Sequence, residues 1–176
     1  KSEMDNYTYQ FLKSLQLDEY IPIKFAIGNT GPSMHMAPFG DQVVLWVGGK
    51  KYSPIDYDPR FNFKLDDYRE GMVFFPKYDE KTGKSILEGV KSVRLVFNGG
   101  VSSITIGRNI EYIWDIARDN PKGLIQGEVS ERLEADRLIK RLQKLRSEKN
   151  DLEIKLQENA DELAKIEARL AEIQGK

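Results

Sequence analysis

From Glu128 to the C-terminus the chain contains no aromatic residue and no proline, and its single glycine there is the penultimate residue. What remains is rich in Glu, Lys, Arg, Leu and Ala, residues that are easily held in a helix. Written as heptads a–g, the a positions are Leu142, Lys149, Leu156, Leu163 and Leu170. The d positions are Leu138, Leu145, Leu152, Asn159, Ile166 and Ile173. Nine of these eleven are aliphatic, a regularity over five heptads that specifies a helix pairing with another helix. The expectation is a coiled-coil helix over 130–174, with Ser130 as N-cap and Glu131 and Glu134 near its start. A lone helix lying on its own domain is disfavoured. At 1.5 Å per residue it would run roughly 65 Å, longer than such a domain is wide. Lys149 and Asn159 interrupt the seam, and such residues cost stability while fixing register or oligomeric state.

The flanking charges favour an antiparallel pair if the helix self-associates. In a parallel, in-register pair, Arg141 meets Arg146, Glu148 meets Glu153, and Glu162 meets Glu167, while Lys149 stacks on itself. An antiparallel pair centred near Asp151 and Leu152 sets Arg141 against Glu162, Glu148 against Lys155, Arg146 against Glu153 and Arg132 against Glu167. Asn159 then falls near Leu142 and Lys149 near Leu152, which leaves a different partner helix open as the alternative.

Upstream the composition changes sharply. Both tryptophans, all eight tyrosines and all eight phenylalanines lie at or before Trp114, and all seven prolines at or before Pro121. This divides the chain into a β domain over 1–121, a linker over 122–129 and the helix, with a turn at 119–123 closing the first part. Strands are expected where apolar residues alternate. These are Ile21–Ile27, Gln42–Val47 ended by Gly48-Gly49 as a hairpin, Arg60–Leu65 with Phe61, Phe63 and Leu65 on one face, Met72–Phe75, Ser92–Phe97 and Val101–Ile106. Asp79–Lys84 reads as a turn. Ile110–Ile116 fits either a helical stripe or a strand face, and its aromatic and β-branched content favours the strand. Tyr7–Leu17 also fits both and reads as a helix entering the sheet. Trp46, between Leu45 and Val47 in the most β-prone run, is expected in the core. Short strands with turn signals between them make an antiparallel sandwich, and about 120 residues suffice for one core.

Ile23-Lys24-Phe25-Ala26-Ile27 followed by Asn29-Thr30-Gly31 resembles the first core strand and turn of bacterial extracytoplasmic immunoglobulin-like domains. Val44-Leu45-Trp46 with Gly48-Gly49-Lys50-Lys51-Tyr52 is similar to their next hairpin. Gly71-Met72-Val73-Phe74-Phe75-Pro76 and Val93-Arg94-Leu95-Val96-Phe97 resemble the later pair. The resemblance covers residues 21–97 and implies an immunoglobulin-like sandwich, secreted or carried on a lipoprotein, that binds or scaffolds without catalysis. The turn at 79–84 and the coiled coil lie outside that pattern.

Charge is balanced, 27 basic against 28 acidic residues, which provides neither the basic face that nucleic acid demands nor a polybasic handle for an anionic membrane surface. No apolar run approaches the roughly 20 residues of a membrane span. Cysteine is absent, which excludes disulfides, thiol nucleophiles and thiolate metal sites. That absence fits a bacterial envelope protein with no need of disulfides, a thermophile avoiding labile residues, or a cytosolic mesophile. Of these the expectation is an extracytoplasmic protein of the periplasm or cell surface, and a first residue, Lys1, that is not methionine is compatible with removal of a signal peptide or anchor.

Met34-His35-Met36 contains the one histidine. Thioether and imidazole together suit Cu(I), provided a loop brings all three onto one ion, since a strand would point His35 away from both methionines. The simpler reading is a hydrophobic loop plug with a solvent-facing imidazole. Asp56, Asp58, Asp66 and Asp67 offer carboxylates but lack the spacing and glycine of an EF-hand, so they read as turn residues. Gly83-Lys84 lacks the first glycine of a phosphate loop. No Gly-x-Ser-x-Gly elbow occurs, and a triad has only His35 to use. Tyr52, Tyr57, Tyr68 and Tyr78, with Arg60 nearby, sit close to turns and read either as a candidate protein-binding surface or as tyrosines at the margin of the sandwich core.

The resulting expectation is a non-enzymatic envelope or surface module, without cofactor, that binds or scaffolds and is oligomerised or docked through its coiled coil. The alternative is an extracytoplasmic ligand or copper carrier using the Met34-His35-Met36 loop.

Overall fold

The computed structural model describes residues 2–105, 107–119, 123 and 126–175. It divides into two compact units, Lys1–Leu133 and Glu134–Lys176.

The first unit opens with helix α1 (Ser2–Ser14), whose Glu3 and Asp5 in the first turn and Lys13 in the last complement the helix dipole. Lys13 Nζ lies 2.5 Å from the carboxylate of buried Asp18, and Lys77 Nζ donates to the Leu17 carbonyl at 2.7 Å. These contacts fix the turn into strand β1 (Tyr20–Gly28).

Two antiparallel sheets follow, together holding seven strands among the described residues. One has β1, β5 (Tyr68–Pro76) and β4 (Asp56–Tyr57) in the order β1-β5-β4, with Ile23 opposite Val73 and Phe25 opposite Gly71. The other has β3 (Lys50–Tyr52), β2 (Val43–Val47), β6 (Ser92–Phe97) and β7 (Ile110–Asp115) in the order β3-β2-β6-β7. The β2–β3 hairpin turns on Gly48 and Gly49 at φ 55° and 82°, and positive φ at both central residues is what a type I′ turn requires.

Both sheets contribute to one hydrophobic cluster. Phe25, Val73 and Phe75 come from the first, and Val43, Leu45, Val47, Val93, Leu95 and Phe97 from the second. Between them sit Phe39 and Phe61, fully buried and stacked at 4.5 Å with 18° between ring planes. This is the arrangement of a β-sandwich: inward residues at every second position, shared between two faces.

The structure corrects four readings of the sequence. Residues 60–65 are not a strand. Pro59–Asn62 form a 3₁₀ turn, opened by Asp58, whose carboxylate accepts from the Arg60 N–H at 3.0 Å. Phe61 and Leu65 are buried while Phe63 is exposed, so the three do not share a face. Residues 101–105 are not a strand either: Gly99–Val101 is a 3₁₀ turn and Ser102–Thr105 continue as bend and turn, while Ile106 lies outside the described residues. Thr105 donates to the Gly99 carbonyl at 2.7 Å and Asn109 accepts from its N–H at 3.2 Å, so side chains close this loop on itself. Trp46 is not in the core. Val43, Leu45 and Val47 take the inward positions of β2, and strict alternation sends Trp46 to the outer face.

The fourth correction concerns the helix start. Helix α2 (Ile116–Asp119) follows β7, and α3 spans Glu128–Gln174, beginning within the segment read as linker. Gly127, at φ 69°, precedes it and accepts from the Glu131 N–H at 3.2 Å, so Ser130 lies inside the first turn rather than capping it. Val129 and Leu133 are buried in the first unit, and the Arg132 guanidinium sits 4.1 Å from the centroid of the Tyr9 ring. Residues 120–122, 124 and 125 of the expected turn and linker lie outside the described residues.

Other expectations agree with the structure. Ile21–Ile27, Met72–Phe75 and Ser92–Phe97 fall in β1, β5 and β6, the expected strand Gln42–Val47 is β2 from Val43 onward with Gln42 capping the 3₁₀ turn before it, and Ile110–Asp115 is a strand. The turn at 79–84 is closed by Asp79 N–H to the Lys84 carbonyl at 2.9 Å. Among the described residues, no helix is long and apolar enough to cross a membrane.

Candidate interaction surfaces

Helix α3 carries two apolar stripes. One consists of Val129 and Leu133, one turn apart, and is consumed by burial in the first unit. The other is the a/d series. Leu142 lies nine residues beyond Leu133, which at 100° per residue places it on the opposite side of the helix. Leu138, Leu142, Leu145, Leu152, Leu156, Leu163, Ile166, Leu170 and Ile173 are all exposed, reaching 65% at Leu152 and 71% at Leu156. Lys149 and Asn159 are exposed in the same stripe. Leu145, Glu148, Lys149, Leu152, Glu153 and Leu156 line a shallow, open, apolar recess along it. Isolated exposed leucines are ordinary on a protein surface; a continuous stripe of nine is a surface built to be covered.

Ion pairs on α3 run along the helix. Lys149 reaches Glu153 at 3.4 Å, Lys144 reaches Glu148 at 3.8 Å and Arg169 reaches Glu172 at 2.6 Å. They are exposed pairs of small individual worth, so their charges are available for exchange with those of another helix.

The five residues of the candidate protein-binding surface are not brought together as one patch. Tyr52, in β3, and Tyr57, in β4, both pack against the core. The Tyr57 ring lies 5.2 Å from that of Phe39, and its hydroxyl is 3.4 Å from the side-chain amide oxygen, Oδ1, of Asn62. Tyr78 sits at the base of the 79–84 turn, with the Lys77 ammonium 5.7 Å from its ring centroid. Arg60 and Tyr68 do share a neighbourhood: Arg60 pairs with Asp58 at 2.6 Å and donates to the Glu70 carbonyl at 3.0 Å, while the Tyr68 hydroxyl donates to the Glu70 carboxylate at 2.9 Å. Lys24 completes the cluster 3.0 Å from Glu70. Hydrogen bonds from Lys24 and Tyr68 hold the Glu70 carboxyl below its usual range, and hydrogen bonding to Asp58 raises Arg60. Every charge in this cluster is matched by a neighbour of opposite sign, an arrangement that ties β1, β5 and the 58–62 turn together.

Met34 and Met36 are buried in the core and His35 between them is exposed. Met34 bridges to Leu65 as an extended residue, so alternation directs the two thioethers inward and the imidazole outward, and the three are not brought onto one side. Of the aspartates, Asp58 caps the 3₁₀ turn. Asp66 accepts from the Ser33 hydroxyl at 2.7 Å and lies 3.3 Å from Lys64, and the Ser33 hydrogen bond is the first cause of its lowered pKa. Asp56 accepts from the Tyr57 N–H at 2.9 Å and Asp67 from the Tyr68 N–H at 2.5 Å. Among the described residues, no group of three or more His, Cys, Asp or Glu side chains is placed to hold a metal ion.

Two exposed apolar features escaped the sequence reading. Met4, Tyr7 and Phe11 form an outward stripe on α1, visible in the sequence as spacings of three and four. The strand β7, at the edge of its sheet, exposes Tyr112 and Ile113 on its two faces, and the Tyr112 ring lies 6.3 Å from that of Trp114. An alternating strand gives no sign in its own sequence that it will end at an edge.

No family model matches the chain, and comparison with curated proteins and with solved structures finds no similar one.

Proposed function

We propose that this protein is a non-enzymatic binding and scaffolding module of the cell envelope or surface. In this reading its β-rich unit is an immunoglobulin-like sandwich that binds or positions a protein, and α3 is a coiled-coil helix that joins it to a partner. The observation that carries the reading is the second stripe of α3. A nine-residue aliphatic face, distinct from the one the fold consumes, is left exposed. Such a face is stable in water chiefly when another helix covers it. The extracytoplasmic placement rests on the cysteine-free composition and on the resemblance of residues 21–97 to bacterial secreted sandwiches.

The test is a photo-crosslinking residue placed in the seam at Leu152 and, as control, on the opposite face at Asp161, in cells producing the chain. A discrete protein adduct from position 152 and not from 161 is the expected result. Equal yields at both, or none at either, would sink the reading. An adduct whose mass exceeds the 20.2 kDa chain by another 20.2 kDa is a second copy; any other increment is a different protein.

A further inference from the structure

The g positions of α3 are Glu134, Arg141, Glu148, Lys155, Glu162 and Arg169: the sign of the charge alternates at every heptad through all six. A parallel partner cannot read this pattern, because there g faces e′, and the e column (Arg132, Ile139, Arg146, Glu153, Ala160, Glu167) does not alternate. Antiparallel partners set g against g′, and an alternating column is then complementary to a reversed copy of itself in every second heptad register and repulsive in the registers between. From this we infer that the partner of the α3 seam is a second copy of this chain, paired antiparallel about a dyad between Gln157 and Glu158. The inference rests on the coiled-coil reading of α3 given above and names its partner.

In that register Glu148 faces Arg169, Lys155 faces Glu162 and, in the e column, Arg146 faces Glu167, each twice in the dimer. A slip of one heptad in one direction sets Lys155 against Lys155 and Glu148 against Glu162. In the other it sets Glu162 against Glu162 and Lys155 against Arg169. Repulsion on both sides opposes slippage of the seam by one heptad. In the seam Leu142 meets Ile173, Leu145 meets Leu170 and Leu152 meets Leu163, while Lys149 meets Ile166 and Leu156 meets Asn159.

The two complementary registers differ in what faces the recess and in what faces Leu170. Its lining makes two overlapping four-residue holes, one of Leu145, Glu148, Lys149 and Leu152, the other of Lys149, Leu152, Glu153 and Leu156. With the dyad between Gln157 and Glu158, these holes receive Ile166 and Leu163 of the second copy. After a slip of two heptads, which moves the dyad seven residues to near Asp151, they receive Leu152 and Lys149; in the first register Lys149 enters the seam too, against Ile166, so its ammonium does not separate the two. The slipped register also opposes Leu170 to Glu131. The opposition of Leu170 to Glu131 disfavours that register, which leaves the dyad between Gln157 and Glu158, and the whole pairing then lies within the second unit, Glu134–Lys176.

The test uses the full chain, which has no cysteine of its own. Two variants, Leu152→Cys and Leu163→Cys, are oxidised separately and as an equal mixture. The expected result is a disulfide dimer in the mixture and little in either variant alone, with sedimentation equilibrium of the unmodified chain giving the mass of two copies. Dimers from each variant alone mean a parallel coil and overturn the inference. A monomer at all concentrations overturns it too, while a heterologous adduct in the cross-linking experiment above would leave the scaffolding reading standing. Dimers from Leu152→Cys alone overturn the assigned dyad. Glu162→Lys sets like charges together at two places in the dimer and should weaken it several-fold at low salt, and adding Lys155→Glu should restore it. If the second substitution weakens dimerisation further, the g–g′ pairing is wrong.

Discussion

The ammonium of Lys51 lies 4.9 Å from the centroid of the Trp46 ring, on the outer face of the β2–β3 hairpin. Arg94, from β6, approaches the same ring at 5.4 Å, so the indole is held between two cations rather than in the core. Trp46→Ala should therefore cost about 1–2 kcal/mol, the scale of a cation–π pair with partial burial. Leu45→Ala, one residue away on the inner face, should cost about 2–5 kcal/mol. Urea denaturation of both variants measures the difference, and equal losses would return Trp46 to the interior.

Gly99 is required by contact rather than by dihedral angle. A Cβ built there would lie 1.8 Å from the Arg108 carbonyl oxygen and 2.6 Å from the Thr105 carbonyl oxygen, both of them backbone. Gly99→Ala should destabilise the protein by more than about 3 kcal/mol or prevent folding. Gly28→Ala, at a position with nothing within 4 Å, should stay within about 0.5 kcal/mol of the parent. Thermal melts followed at a β-sheet wavelength decide this, with a mild effect at Gly99 showing that the loop can move aside.

Acid should weaken the first unit through aspartates held in turns. The Arg60 side-chain hydrogen bond keeps the Asp58 carboxyl below its ordinary 3.8, and the Thr82 backbone N–H does the same for Asp79. Their folded pKa lies below the unfolded one, so on acidification the unfolded chain takes up protons first. The stabilisation is whole above about pH 4 and is lost as the pH falls through the depressed folded values. Denaturant midpoints from about pH 6 to about pH 2 should fall less steeply in Asp58→Asn than in the parent. Parallel curves would mean that the carboxylate is not linked to folding.

The first unit should need the opening turns of α3. Val129 and Leu133 are buried there, and a fully buried aliphatic side chain contributes about 1.5–3 kcal/mol. A chain ending at Pro121 should accordingly be less stable than one ending at Arg137 by about 3–5 kcal/mol. Chemical denaturation of the two truncations gives the answer, and equal stability would place the boundary of the β unit before the helix.

How much of this was legible in the sequence varies with the range of the interaction responsible. The β2–β3 hairpin was readable because Gly48-Gly49 permits a backbone turn that few other pairs adopt, a local constraint. The strand at 110–115 was favoured by residue shape alone. The 60–65 segment misled because Phe61, Phe63 and Leu65 alternate as a strand would, while Pro59 and the Asp58 cap turned the backbone into a 3₁₀ turn and sent Phe63 outward. Of the proposed sites, the a/d stripe was written in the sequence. The inward turn of Met34 and Met36 with an outward His35 was the simpler of two readings the sequence offered, whereas the dispersal of the tyrosines was not written there.

The sequence by itself determined the long helix, its a/d stripe and its alternating g charges, because 3.6-residue periodicity maps position directly onto a face. Only the tertiary structure decided which of two apolar stripes on that helix is used up: Val129 and Leu133 are apolar in the same way as Leu142 and Leu145, yet they alone are buried. It also decided which side of β2 faces the core, since Val43–Val47 is apolar throughout and its register against β6 is set by pairing with residues some fifty positions away. The physical reason is the same in both cases. Burial belongs to the partner surface as much as to the residue, and a one-dimensional pattern names a face without naming what covers it.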